Sequence, residues 1–219
     1  MTSPALVVFG GTFDPPHLGH LAVIRGLRAG LGRPVLVVPN GRPAHRRAPT
    51  ASPADRLRMA TILVEGLGDP EVSVSDLEVT RSGPSYTADT LEQLRAADPG
   101  RPLILALGAD AARGLPRWHR PERVQELAQL LVFDRPGARI GAGEVVAGLL
   151  PSRPTGKGPL VLALSAPRIE ARHIRAELRR GADCEGLLPG PVLTYIRQRH
   201  LYRSPEGETA VADGIISSQ

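Results

Sequence analysis

A stretch near the start of the chain, Gly10-Gly11-Thr12-Phe13-Asp14-Pro15-Pro16-His17-Leu18-Gly19-His20, carries residue types and spacing that could do chemistry. It follows the apolar run Leu6-Val7-Val8-Phe9, which reads as a strand. Gly10 and Gly11 permit a tight turn and a close approach of backbone amides to phosphate oxygens, and Thr12 adds a hydroxyl donor. Pro15 and Pro16 stiffen the entry to a helix that begins near His17, whose amides and positive dipole end would face an anion above the strand. His17 and His20 are three apart and therefore share one face at that end. Gly19 between them leaves out a side chain where a flat base or a phosphate could lie. These residues predict a site for a phosphate-bearing ligand, with two imidazoles as donors.

Other chemistries fit less well. An isolated His-x-x-His at a helix start is ordinarily capping or packing, but here the glycine pair, the prolines and the strand-to-helix setting point the same way. A metalloprotease-type zinc site needs histidines at i and i+4 with an adjacent glutamate, which this segment lacks, so no metal site is expected. Neither a Walker motif nor Gly-x-Gly-x-x-Gly occurs here, which counts against P-loop kinases and dinucleotide-binding dehydrogenases.

The elements that must position this segment follow from the apolar pattern. Short apolar runs at 6–9, 35–38, 72–77, 103–107, 130–133 and 160–164 read as strands. Helical patterns alternate with them, starting near 18 and 53 and covering 87–97, 121–129, 174–180 and 192–199. Ser52-Pro53-Ala54-Asp55 marks one helix start, with Ser52 as cap, Pro53 in the first turn and Asp55 complementing the dipole. Strands that are apolar throughout are buried on both faces, so the expected fold is a Rossmann-like α/β domain: an open, mostly parallel sheet with helices on both faces. Residues 1–203 form one domain on this reading, 137–158 a surface loop with a short helix at 145–150, and 204–219 a mobile tail. In such folds ligands bind beyond the carboxyl ends of the strands. That edge would gather His45 and Arg46 after the second strand, Asp110 after the fourth and Arg135 after the fifth.

Composition narrows the class. The chain has 219 residues, 42% hydrophobic and 22% charged, which is ordinary for a folded domain. Its net charge of +5 is carried almost wholly by arginine, Lys157 being the only lysine, and favours anionic ligands. Aromatic residues make up only 3%, too few for the stacking platforms of a nucleic-acid binder. Cys184 is the only cysteine, the start of the chain carries no basic leader, and no apolar stretch is long enough to span a bilayer. A cytoplasmic protein without a membrane partner is expected, and a homo-oligomer stays open.

The segment from Gly10 to His20 resembles the HxGH nucleotidyltransferase superfamily, in the particular form found in the nicotinate-nucleotide adenylyltransferase family. Further stretches are similar in the same order: Pro39-Asn40 through His45-Arg46, Pro84-Ser85-Tyr86-Thr87-Ala88-Asp89-Thr90, Gly108-Ala109-Asp110, Trp118-His119 and Asp134-Arg135-Pro136-Gly137. The resemblance extends to Tyr202. It implies transfer of the adenylyl group of ATP to nicotinate mononucleotide, giving deamido-NAD and pyrophosphate, with Mg²⁺ entering on ATP.

By the same resemblance His17 and His20 are the catalytic pair. Gly10, Gly11, Thr12, Phe13, Gly19, Gly108, Asp110, Ile169 and Arg175 join them at ATP, and Asp14, His45, Arg46, Tyr86, Thr87, Trp118 and Arg135 line the pyridine nucleotide. Helix amides near Thr87 would receive the nicotinate carboxylate and Trp118 would stack on the pyridinium. The chain departs from the family at Ile169-Glu170-Ala171-Arg172-His173-Ile174-Arg175, where three hydroxyl residues are replaced, so Arg172 would have to supply the missing donors. Two alternatives stay open: another acceptor (nicotinamide mononucleotide or phosphopantetheine), and a nucleotide-binding regulatory protein without turnover.

Overall fold

The computed structural model describes residues 3–43, 48–134, 159–164 and 166–203. The predicted helix at 145–150, the loop around it and the tail at 204–219 lie outside those residues. One six-stranded sheet runs β3-β2-β1-β4-β5-β6, with β1 at Leu6–Gly11, β2 at Val35–Pro39, β3 at Val72–Val74, β4 at Leu103–Gly108, β5 at Gln129–Asp134 and β6 at Leu160–Ala163. Among the described residues every pairing is parallel, in line with the expected mostly parallel sheet. The helices among the described residues are α1 (Leu18–Leu31), α2 (Pro53–Glu65), α3 (Thr87–Ala97), α4 (Ala109–Gly114), α5 (Pro121–Leu127), α6 (Ala171–Arg179) and α7 (Gly190–Gln198), with a 3-10 turn at Leu115–Arg117.

Successive strand residues point to opposite faces, and each face has its own core. Val7 and Phe9 pack with Ile24 and Leu27 of α1, Met59 and Leu63 of α2, Ile174 of α6 and Leu193 of α7. Leu6 and Val8 pack with Leu91 of α3, Ala112 of α4 and Val124 of α5. Helices on both faces explain why the strands read as unbroken apolar runs rather than alternating ones. Each fully buried leucine or isoleucine contributes roughly 1.5–3 kcal/mol, well above the few tenths that separate ordinary residues in helix propensity, so packing fixes where α1 and α2 sit.

Element boundaries moved where side chains redirected the backbone. β3 stops at Val74 because Ser75 Oγ accepts the Leu77 amide and the Asp76 carbonyl collects the amides of Val79 and Thr80, making a turn. α6 begins at Ala171, ahead of the predicted 174, because the Glu170 carbonyl takes the amides of His173 and Ile174. At α2 the expected cap is present: Ser52 Oγ accepts the Asp55 amide at 3.1 Å, with Pro53 in the first turn.

The strand order places a topological switch between β1 and β4, whose following helices α1 and α4 pack on opposite faces. Pairing between them runs from Leu6↔Leu103 to Val8↔Leu105 only, whereas β1 stays paired with β2 as far as Gly11↔Pro39. The carboxyl ends of β1 and β4 are thus left to border a crevice, and the Gly10–His20 segment sits at its edge.

Candidate active site

The chain bends sharply after β1, but not at its glycines. Gly10 and Gly11 are the last residues of β1, and the left-handed residue is Phe13, at φ 52°. A side chain at Gly11 would meet the Phe13 ring at 3.0 Å, so the glycine makes room for that ring. Phe13 is buried edge-on against Phe9 with centroids 5.8 Å apart, and its ring lies 4.8 Å from that of His20. Phe13, expected at ATP, thus has its ring packed beside that of His20.

His17 caps α1 and His20 stands in its first turn, with their rings 3.8 Å apart and inclined by 33°. The His17 amide donates to His20 Nδ1 at 3.2 Å. A neutral imidazole that accepts at Nδ1 carries its hydrogen at Nε2, so the cap fixes the His20 tautomer and makes its outer nitrogen the donor. His17 is buried, while His20 is partly exposed at the crevice. Gly19 has a nearer reason than ligand clearance: a side chain there would meet His17 Nδ1 at 2.9 Å and the Pro167 carbonyl at 3.2 Å. The Leu18 amide, one of those expected to face an anion, donates to the Leu187 carbonyl.

Below this pair lie two buried ionic groups. The Asp14 carboxylate accepts the amides of Thr50 (2.8 Å) and Ala51 (3.0 Å) and the Tyr202 hydroxyl (2.8 Å), and Arg175 Nη1 lies 3.7 Å from it. Arg175 Nη1 also donates to the Asp14 carbonyl at 2.6 Å. Asp14, expected at the pyridine nucleotide, thus has its carboxylate engaged by the protein, and Arg175 is seated on the loop after β1. Burial, and then the charge of Asp14, push the Tyr202 hydroxyl far above the ordinary tyrosine range, so it stays a donor. Fully buried Arg56 donates to the carbonyls of Thr12, Asn40, Gly41 and Ala51. Burial lowers its pKa, but from so high a start that the group stays cationic.

Across the crevice, Tyr86 precedes α3 and its ring stacks on His119 with centroids 4.2 Å apart. Arg120 ties the same loop to α3 through Asp89 and, at 3.0 Å, Glu92. Trp118, half-buried, packs against the second core. Thr87 opens α3, and Asp110 stands exposed on α4, within 3.2 Å of Arg113. Gly108 caps α4 at the end of β4, and Ile169 packs against the first core. Arg172 Nε lies 2.5 Å from Glu170 Oε2, so the acidic replacement is neutralised by its neighbour. His45, Arg46 and Arg135 lie outside the described residues.

Glu78 is a buried carboxyl beside the α3 start. It accepts from the Thr90 hydroxyl at 2.7 Å, and Ser85 accepts the amides of Gly41 and Arg42 at 2.9 and 3.2 Å. Burial pushes the Glu78 carboxyl above the ordinary range, and bonds from Thr90 and Ser85 only partly offset it. A raised acid binds its proton more tightly folded than unfolded, so stability is lost as pH rises above the unfolded value near 4.5. Glu78→Gln removes that loss. The melting-temperature difference between variant and parent should grow in the variant's favour from pH 5 to pH 8, and a pH-independent difference would refute this account.

Arg56, Glu78 and Tyr202 were not foreseen as parts of the site. For Arg56 a signal existed: with Met59, Ala60 and Leu63 it falls on the buried stripe of α2, an unusual place for a charge. Glu78 and Tyr202 carry no such local mark.

Among the described residues, no group of three or more His, Cys, Asp or Glu side chains could hold a metal ion, and no helix is long and apolar enough to cross a membrane. A parallel sheet split at a switch point, with an imidazole pair at the first helix start, suits a phosphate-bearing nucleotide, the ligand class of a nucleotidyltransferase. In agreement, the family model described as cytidylyltransferase-like matches residues 8–181. A protein of Aeromonas hydrophila named "Probable nicotinate-nucleotide adenylyltransferase" is 38% identical over 214 residues, covering 93% of this chain and 99% of its own length. One of the same name from Pseudomonas paraeruginosa is 40% identical over 212 residues, covering 90% and 97%. The chain belongs to the nicotinate-nucleotide adenylyltransferase family. Among solved structures, the Plasmodium falciparum nicotinic acid mononucleotide adenylyltransferase complexed with NaAD has the same fold, with a TM-score of 0.71 at 18% identity over 91% of this chain and 97% of that one.

Proposed function

We propose that this protein transfers the adenylyl group of ATP to nicotinate mononucleotide, forming deamido-NAD and pyrophosphate in NAD biosynthesis. The observation that carries the mechanism is the His17 amide bond to His20 Nδ1, which leaves Nε2 as the hydrogen-bearing nitrogen at the crevice. The acceptor is a phosphate monoester, largely ionised at neutral pH because its second pKa is about 6, so no strong general base is needed. One of its oxygens forms a bond to the α-phosphorus of ATP as the bond from that phosphorus to the bridging oxygen of pyrophosphate breaks. Charge on the α-phosphate is met by His20 Nε2–H, with His17 beside it and the backbone of Gly10, Gly11 and Thr12 below. The magnesium ion arrives as part of the MgATP substrate, and Arg175 faces its phosphates from α6.

On the acceptor side, the first-turn amides of α3 from Thr87 onward suit the carboxylate of nicotinate, and a carboxamide would bring no charge to that helix end. Tyr86 and Trp118 flank the same place, and Asp110 and Gly108 suit the ATP ribose. The Asp14 carboxylate shapes the floor of the site through its bonds to Thr50, Ala51 and Tyr202. The relatives' names support the acceptor, and a second Plasmodium falciparum structure described as complexed with APC (TM-score 0.66, 17% identical) supports the fold that carries it.

Pyrophosphate release measured separately with nicotinate mononucleotide, nicotinamide mononucleotide and phosphopantetheine tests the assignment. The nicotinate compound should be used fastest, and an equal or faster rate with phosphopantetheine would end it. Trp118→Ala should raise KM for the pyridine nucleotide roughly 2- to 30-fold, equivalent to about 0.5–2 kcal/mol of lost stacking, and leave KM for ATP nearly unchanged. The reverse pattern would mean that the two subsites are exchanged.

A further inference from the structure

We infer that Arg56 is a positioning residue that couples the two substrate subsites by clamping the loop after β1 to the loop after β2. This rests on the proposed function for which loop meets which substrate. The guanidinium has five N–H donors in a planar fork. Nη1 donates to the Thr12 carbonyl at 2.9 Å, to the Asn40 carbonyl at 2.5 Å and to Asn40 Oδ1 at 3.2 Å. Nη2 donates to the Gly41 carbonyl at 2.7 Å and Nε to the Ala51 carbonyl at 3.3 Å. Every partner lies in a loop at the carboxyl edge of the sheet or at the start of α2.

Thr12 belongs to the loop beneath the ATP phosphates, and Asn40 and Gly41 to the loop that leads toward the pyridine nucleotide. From Gly41 the connection continues, because its amide donates to Ser85 Oγ at 2.9 Å, immediately before Tyr86 and the start of α3. Gly41 also admits no side chain: a Cβ would fall 2.1 Å from the Glu78 carbonyl. The path Thr12, Arg56, Gly41, Ser85 thus runs in direct contacts from one subsite to the other.

A buried cation is costly unless its hydrogen bonds are all met. An apolar residue would suit the α2 stripe better as packing, but would leave carbonyls in both loops without donors. The position is therefore explained by the loops rather than by the core. Lysine does not replace it in full, because its single nitrogen can at best keep the Thr12 and Asn40 carbonyls that share Nη1, which leaves those of Gly41 and Ala51 without a donor and breaks the path at Gly41.

The test combines kinetics and calorimetry on the full chain for the parent and Arg56→Lys, using nicotinate mononucleotide and α,β-methylene ATP as probes. In the parent, the ATP analogue should raise affinity for nicotinate mononucleotide by about 5-fold or more, the lower range of measured couplings. Arg56→Lys, folded by circular dichroism, should lose that enhancement while binding the analogue alone within about 3-fold, and kcat should fall on the order of 100-fold through misplacement of the reactants. A folded Arg56→Lys protein with coupling and kcat within about 2-fold of the parent would overturn the inference. If the variant does not fold, amide exchange in the parent decides: the analogue alone should slow exchange at Gly41 and Arg42, and unchanged exchange there overturns it. A parent that makes no dinucleotide would instead refute the proposed function, which the same calorimetry tells apart.

Discussion

His20→Asn should leave the fold intact and lower kcat roughly 100- to 1,000-fold, the loss seen when one preorganised donor to a developing charge is removed. Asparagine can still accept the His17 amide with Oδ1, so the cap on α1 survives, but nothing occupies the place of Nε2. His20→Gln makes the opposite exchange: its side-chain amide can reach toward the Nε2 position, but when it does so it gives up the bond from the His17 amide that a glutamine in this place can otherwise accept. That variant should keep more activity than the asparagine one and lose about 1 kcal/mol of stability, a fall of roughly 2–4 °C for a domain of this size. The pair separates the two nitrogens of one ring. Parent-like turnover in His20→Asn would remove His20 from the chemistry, and a glutamine variant as inactive as His20→Ala would show that the donor is not at Nε2.

Asp14→Ala should be the most destabilising single change in the site. It strips the acceptor from two amides and a buried hydroxyl, and removes the negative charge 3.7 Å from Arg175. Breaking a buried, hydrogen-bonded charge in this way costs about 3–5 kcal/mol, so the melting temperature should fall by roughly 6–20 °C. Tyr202→Phe removes one of those donors and should cost about 1–2 kcal/mol. Because both act on one network, the double variant should lose less than the sum. A melting temperature for Asp14→Ala within 2–3 °C of the parent, about the scatter of a surface change, would show that the network contributes little.

Arg175 is shared between these two effects. It binds the Asp14 carbonyl and stands beside the carboxylate, so Asp14→Ala should also disturb the α6 side of the ATP site. Loss of stability and loss of activity are therefore linked at Asp14 and separable at His20.

Much of the architecture was legible in the sequence because its causes are local. The helix at Thr87–Ala97 and the cap at Ser52 are set by residues within one or two turns, and the strands by apolar runs that two covered faces demand. The His17 and His20 rings meet because a helix places residues three apart together. The same logic failed at Phe13, where the glycines drew attention although the bend is made by a buried aromatic in a left-handed conformation.

By itself, then, the sequence determined the order of elements, the covering of both sheet faces and the imidazole pair at the first helix start. Tertiary structure alone decided that the Asp14 carboxylate ties loops together, that Arg56 lies inside the protein, and that Tyr202 returns to Asp14. Periodicity and capping act over a few residues, whereas Tyr202 meets Asp14 across 188 positions and Arg56 meets Thr12 across 44. Such bonds form only where the folded sheet brings its loop ends together, and no local pattern encodes that meeting.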